Sequence, residues 1–149
     1  MDEPSLGFVL VDAARLFRGR TDRAFDAAGL GLTAGEARTL AYVNFHPGLR
    51  QMALAEKMNV EPMTLVGFLD RLEAAGLVER EADPKDRRAK TVSLTPAATP
   101  YLAAIRAAGA LVRAEATDGF SEGERQMLRD LLLRVRANLA REHKCRDER

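Results

Sequence analysis

The chain has 149 residues, 46% of them apolar and 30% charged, which is the composition of one folded domain and excludes a disordered or fibrous class. Its formal net charge is only +1, so affinity for a polyanion has to come from where the cations sit, not from their number. One cysteine, Cys145, forms no intrachain disulfide. With no basic-then-apolar leader and no apolar run of about 18 residues, the expectation is a cytoplasmic protein that does not enter a membrane.

In chain order, Leu6, Leu10, Ala13, Phe17, Ala24 and Ala28 recur every three to four residues and predict an amphipathic helix over Ser5–Ala28, stopped by Gly29. Thr33-Ala-Gly-Glu36 is a capping box that opens a second helix to about Phe45, and His46-Pro47-Gly48 breaks it. Gln51–Met58 is a short third helix, followed by Asn59, which tolerates left-handed backbone. Pro62 suits the first turn of a fourth helix that runs to Ala75 and stops at Gly76. Leu77–Arg80 then reads as a short strand, Asp83–Arg88 as a polar turn and Lys90–Leu94 as a returning strand. Thr95-Pro96 caps a fifth helix to about Thr117, with Pro100 early enough to be tolerated. A second capping box, Ser121-Glu-Gly-Glu124, opens a sixth helix through about Ala140. The expected class is mainly α with a small β-hairpin, and a lone hairpin needs helices to pack on.

Within this order the fourth helix has two faces. Leu65, Phe68, Leu69 and Leu72 form an apolar stripe, while Met63, Thr64, Gly67 and Arg71 lie on the other side, one turn apart. A recognition helix needs that split, an apolar back to anchor it and a small or polar front for base edges. Alone, the pattern also fits any bundle helix. In the hairpin, Asp86-Arg87-Arg88 places two guanidiniums at the end of a ribbon, and arginine suits the negative potential of a narrow minor groove. Asp86 can hold one of them in place. Alone, such a turn is merely solvated. Two short helices, a tight turn and a charged hairpin together describe a winged helix-turn-helix over 33–94, with 1–32 and 95–149 as a helical dimerisation region.

The run Leu54-Ala-Glu-Lys-Met-Asn-Val60, then Thr64-Leu-Val-Gly-Phe-Leu-Asp-Arg-Leu-Glu-Ala-Ala-Gly-Leu-Val78, Asp83-Pro-Lys-Asp-Arg-Arg88 and Leu94-Thr95 closely resembles the MarR family of regulators. Glu61-Pro62 before the fourth helix is most similar to its SlyA-type branch. The resemblance implies a homodimeric DNA-binding transcriptional regulator, knit together by the first, fifth and sixth helices and reading a pseudo-palindromic operator on double-stranded DNA. It also implies a repressor released by a small aromatic acid, a phenol or an oxidant. Carried over by position, Thr64 with Met63, Gly67 and Arg71 faces bases. Arg88 enters the minor groove beside Arg87, steadied by Asp86, and Gln51 touches phosphate. Three features depart from the family pattern. Gly67 stands where relatives carry a longer polar side chain, Ala98 where they carry glycine, and Cys145 lies far from the N-terminal cysteine of the peroxide-sensing branch. There is no tryptophan of the kind the urate-responsive branch uses, and His46 and His143 are too few for a zinc-responsive site, so no metal or cofactor is expected.

Val9, Leu16, Leu102, Ile105, Leu111, Leu128, Leu131, Leu132, Val135 and Leu139 are more apolar positions than one stripe per helix needs, and they predict a dimer. Phe17, Tyr42, Phe45 and His46 are candidates to line an effector pocket, and by themselves they also read as core. No phosphate loop, nucleophile elbow or catalytic His/Cys/carboxylate cluster is present, which argues against an enzyme. The remaining alternative is an interaction adaptor whose winged helix does not bind DNA, which the low net charge and Gly67 allow.

Overall fold

The computed structural model describes residues 3–146, with side chains through Arg141; Cys145 and His143 lie outside the described side chains. The chain divides into two units, Met1–Val112 and Arg113–Arg149.

In the first unit α1 spans Leu6–Ala27, with Ser5 Oγ accepting the Phe8 N–H at 3.3 Å as its cap. α2 spans Ala34–Phe45 and begins with the full capping box of Thr33 and Glu36. α3, Gln51–Met58, ends at Asn59, the only described non-glycine residue with positive φ, at 51°. α4, Pro62–Ala74, starts on Pro62 and is followed by Gly76 at φ 72°, where a side chain would be strained. The first four helices thus follow the local signals of the sequence.

The hairpin differs from expectation. β1 is Val78–Asp83 and β2 is Asp86–Leu94, antiparallel, with Val78 opposite Leu94 and Ala82 opposite Lys90. Only Pro84 and Lys85 turn the chain, so Arg87 and Arg88 fall within the span of β2, in a bulged stretch where the pairing jumps from Asp83 opposite Asp86 to Ala82 opposite Lys90. The cause is a pair of aspartates that hold the backbone. Asp83 Oδ1 accepts the Lys85 N–H at 2.9 Å, and Asp86 Oδ1 accepts the Arg88 N–H at 3.1 Å. The segment before α3 lies along the other edge of β2. Val92 donates its N–H to Leu49 O at 3.1 Å, Gly48 donates to Val92 O at 3.2 Å, and Arg50 bridges Thr91. That third, short partner supports a ribbon that two strands alone would leave marginal.

Thr95 does not cap the next helix. Its Oγ1 donates to Gly76 O at 2.6 Å and its N–H to Leu77 O at 3.0 Å, which ties the base of the hairpin to the end of α4. One 3-10 turn, Pro96–Ala98, therefore precedes α5, Thr99–Ala116. The core of this unit is Leu40, Val43, Leu54, Met58, Leu65, Leu69, Leu72, Val78 and Val92, all fully buried, extended by Ala98, Leu102 and Ile105. Each large side chain there contributes about 1.5–3 kcal/mol of burial. The core sits directly behind α4, whose opposite face is left free.

In the second unit Ser121 and Glu124 form the second capping box, with hydrogen bonds of 2.7 and 3.2 Å. α6 spans Glu122–Arg146, beyond the expected end at Ala140, because nothing in the intervening residues breaks a helix. Met127, Leu128, Leu131, Leu132, Leu133 and Leu139 are exposed along it. Among the described residues no helix is long and apolar enough to cross a membrane.

Candidate nucleic-acid interface

α4 is seated by its back. Leu65, Leu69 and Leu72 are fully buried, and Phe68 is half-buried against Gly35 of α2, where a Cβ would overlap its ring. Met63, Thr64 and Arg71 are exposed on the front, with Gly67 half-exposed between them. The sequence-predicted faces are both present.

A charged contact adds to the packing. Glu36, 4% exposed, uses Oε2 to accept the Thr33 N–H at 3.1 Å and Oε1 to accept Arg71 Nε. The Arg71 guanidinium also lies 5.6 Å from the centre of the Phe68 ring. Burial alone pushes the Glu36 carboxyl up, but hydrogen bonds from Arg71 and Thr33, with the Arg71 charge, outweigh it and hold the pKa below its ordinary value. Glu36 therefore does two things, capping α2 and gripping α4. The sequence shows the first through the Thr33–Glu36 spacing. A partner 35 residues away leaves no local signal. The same grip means that Arg71, expected at the bases, has its Nε committed to Glu36.

The wing is held at both ends. Near its tip, Arg50 Nε donates to Asp83 Oδ2 at 2.6 Å. Hydrogen bonds from the Lys85 backbone and from Arg50 hold the Asp83 carboxyl below its ordinary pKa. Near its base, Arg80 on β1 reaches Asp70 at 2.6 Å and Glu73 at 3.0 Å, both on α4. The Arg80 side chain is largely buried, and hydrogen bonding from it lowers the Glu73 pKa. Arg50, Asp83 and Arg80 were all missed in the sequence, because Arg50 and Asp83 are 33 positions apart and Arg80 reaches back 10 and 7 positions from β1 to α4, beyond the spacing of a helix or a turn.

Arg87 and Arg88 are exposed, in the irregular stretch of β2 between Asp86 and Lys90 where the register shifts. Asp86 grips the backbone of Arg88 and not its guanidinium. Gln51 is half-buried at the first residue of α3, and its Oε1 is buried without a hydrogen-bond partner. The four aromatic pocket candidates are only partly gathered. Tyr42 and His46 stack obliquely at 6.3 Å, whereas the side chains of Phe17 and Phe45 are exposed. A cleft of about 400 Å³ lies elsewhere, lined by Arg50, Met52, Ala53, Ala55, Glu56, Val60 and Pro62. Among the described residues no cluster of His, Cys, Asp or Glu is placed to hold a metal ion.

A sequence model of the MarR family matches residues 32–90, the segment that carries α2, α3, α4 and most of the hairpin. A transcriptional regulator of known structure is 35% identical, with a TM-score of 0.73, covering 92% of this chain and 99% of that one. The chain belongs to the MarR family. MarR itself is similar at 26% identity and a TM-score of 0.80 over 97% of both chains. A probable transcriptional regulator from Pseudomonas aeruginosa is 30% identical, with a TM-score of 0.66 over 88% of this MarR-family chain and 96% of its own.

Proposed function

We propose that this MarR-family protein is a cytoplasmic, DNA-binding transcriptional regulator, acting as a homodimeric repressor on a pseudo-palindromic operator. The observation that carries the reading is the pairing of α4, anchored by its back and bare on its front, with a ribbon that offers exposed Arg87 and Arg88. Met63, Thr64 and Gly67 face base edges, with Arg71 behind them. Arg88 meets the minor groove or its phosphates, with Arg87 beside it and Asp86 fixing the Arg88 backbone. Gln51 meets phosphate at the start of α3, where no side chain caps the helix and the first N–H groups remain available. Glu61-Pro62 is the feature that favours the SlyA-type branch.

Dimerisation through the helices of 1–32 and 95–149 would cover Leu6, Phe8, Val9, Val11 and Leu16 on α1 and the leucines of α6, which are exposed in the single chain. Sedimentation at micromolar concentration is expected to give a dimer, and a pure monomer refutes it. Aromatic carboxylates or phenols at Phe17, Tyr42, Phe45 and His46 are the effector class, acting by lowering DNA affinity. A panel that shifts neither melting temperature nor DNA affinity removes that role. For the function itself, fluorescence anisotropy with mixed duplex fragments is expected to saturate and to weaken steeply with salt. No saturation with any duplex leaves the adaptor reading in its place.

A further inference from the structure

In a helix-turn-helix the residues at the start of the recognition helix meet base edges first. Here the first two turns of α4, Pro62-Met63-Thr64-Leu65-Val66-Gly67-Phe68-Leu69, contain no Arg, Lys, Asn or Gln. Those are the side chains that make bidentate contacts with guanine and adenine. The first guanidinium along α4 itself, Arg71, is held at Nε by Glu36 and lies over Phe68, further from the helix start. What the front presents instead is Met63, 78% exposed and the most exposed large apolar side chain among the described residues. The Thr64 side chain is exposed beside it. At Gly67 an added Cβ would meet only Arg71 Nη1, at 3.7 Å, so the surface there is open.

An isolated exposed methionine is ordinary on a protein surface. This one projects from the reading end of the helix, next to a threonine methyl and a gap, and its flexible thioether moulds to small apolar shapes. The major groove offers one such shape. Thymine alone presents an apolar group there, its C5-methyl. We infer that the operator half-site is read chiefly through thymine methyl groups packed against Met63 and Thr64, with Gly67 giving the room for close approach. The inference rests on the DNA-binding role proposed above and specifies the chemistry that role reads.

The test starts from a duplex recovered by selection from random sequence with the full-length protein. Each half-site thymine is then replaced by deoxyuridine, which removes the methyl and leaves the base pair intact. Affinity is expected to fall about fourfold for each methyl packed on Met63. Met63→Ala is expected to keep the parent melting temperature and to lose the distinction between thymine and deoxyuridine. Met63→Leu keeps the distinction, and so does Arg88→Ala on the wing, although its overall affinity drops. Sequence-specific binding with no deoxyuridine effect at any half-site thymine overturns the inference and leaves the DNA-binding role standing. A distinction undiminished in Met63→Ala overturns it equally. Failure to saturate on any duplex overturns the DNA-binding role and this inference together.

Discussion

Glu36 is the residue whose change reports most directly on how the recognition helix is held. It is buried, accepts from Thr33 within its own helix and accepts from Arg71 on α4. Glu36→Gln keeps an acceptor for Thr33 and removes the charge that faces Arg71. A hydrogen bond to a charged group contributes roughly 1.5–3 kcal/mol. Because the Arg71 side chain is 58% exposed, solvent screening reduces this to about 1 kcal/mol. Glu36→Ala also loses the return bond of the capping box, a further cost of about 1 kcal/mol. The sum, about 2 kcal/mol, lowers Tm by roughly 4–8 °C for a chain of this size. Urea unfolding of Glu36→Gln, Arg71→Gln and the double variant gives a thermodynamic cycle, with an expected coupling of about 1 kcal/mol. Anisotropy on the same proteins is expected to show weaker operator binding for Glu36→Gln, although Glu36 is too buried to touch DNA. Single effects that simply add, to within about 0.3 kcal/mol, would show that the pair does not hold α4.

Arg88→Ala is expected to leave stability within about 0.5 kcal/mol, to cost about 1–3 kcal/mol of operator affinity and to make the salt slope shallower by about one; Arg136→Ala on α6 is the control and binds normally. Asp83→Asn releases Arg50 and slackens the turn of the ribbon, so operator affinity falls severalfold with little change in Tm, and faster amide exchange at Lys85 checks the cause. The carboxyls of Glu36, Glu73 and Asp83 all titrate below their ordinary values of 4.5, 4.5 and 3.8. Their contribution to stability is therefore complete above those values and is lost as pH falls through the lower folded-state ones. Tm is expected to hold down to about pH 5 and to drop below it, less steeply in Glu36→Gln.

Most of the helical architecture was legible because its signals are local. Two capping boxes, Asn59 and Gly76 at helix ends and the three-to-four spacing of leucines each act within a few residues. The front and back of α4 were legible for the same reason, since a period of 3.6 sorts side chains onto faces before any partner is known. The ribbon was read too short because the hydrogen bonds of Asp83 and Asp86 to backbone look in sequence like loop chemistry, yet they tighten the turn to Pro84-Lys85 and lengthen both strands. Thr95 was read as a cap because Thr-Pro is a helix-start signal, but the carbonyl of Gly76 competes for its hydroxyl.

The sequence by itself therefore determined where the helices start and stop, that a charged hairpin interrupts them, and which side chains α4 turns outward. Tertiary structure alone decided which charges are committed and which remain free. Arg71 is taken up by Glu36, Arg50 by Asp83 and Arg80 by Asp70 and Glu73, while the side chains of Arg87 and Arg88 stay exposed. The physical reason is one of range. Capping, periodicity and turn preference act between residues a few positions apart, whereas an ion pair forms between whichever opposite charges the packed core brings together, at any separation along the chain.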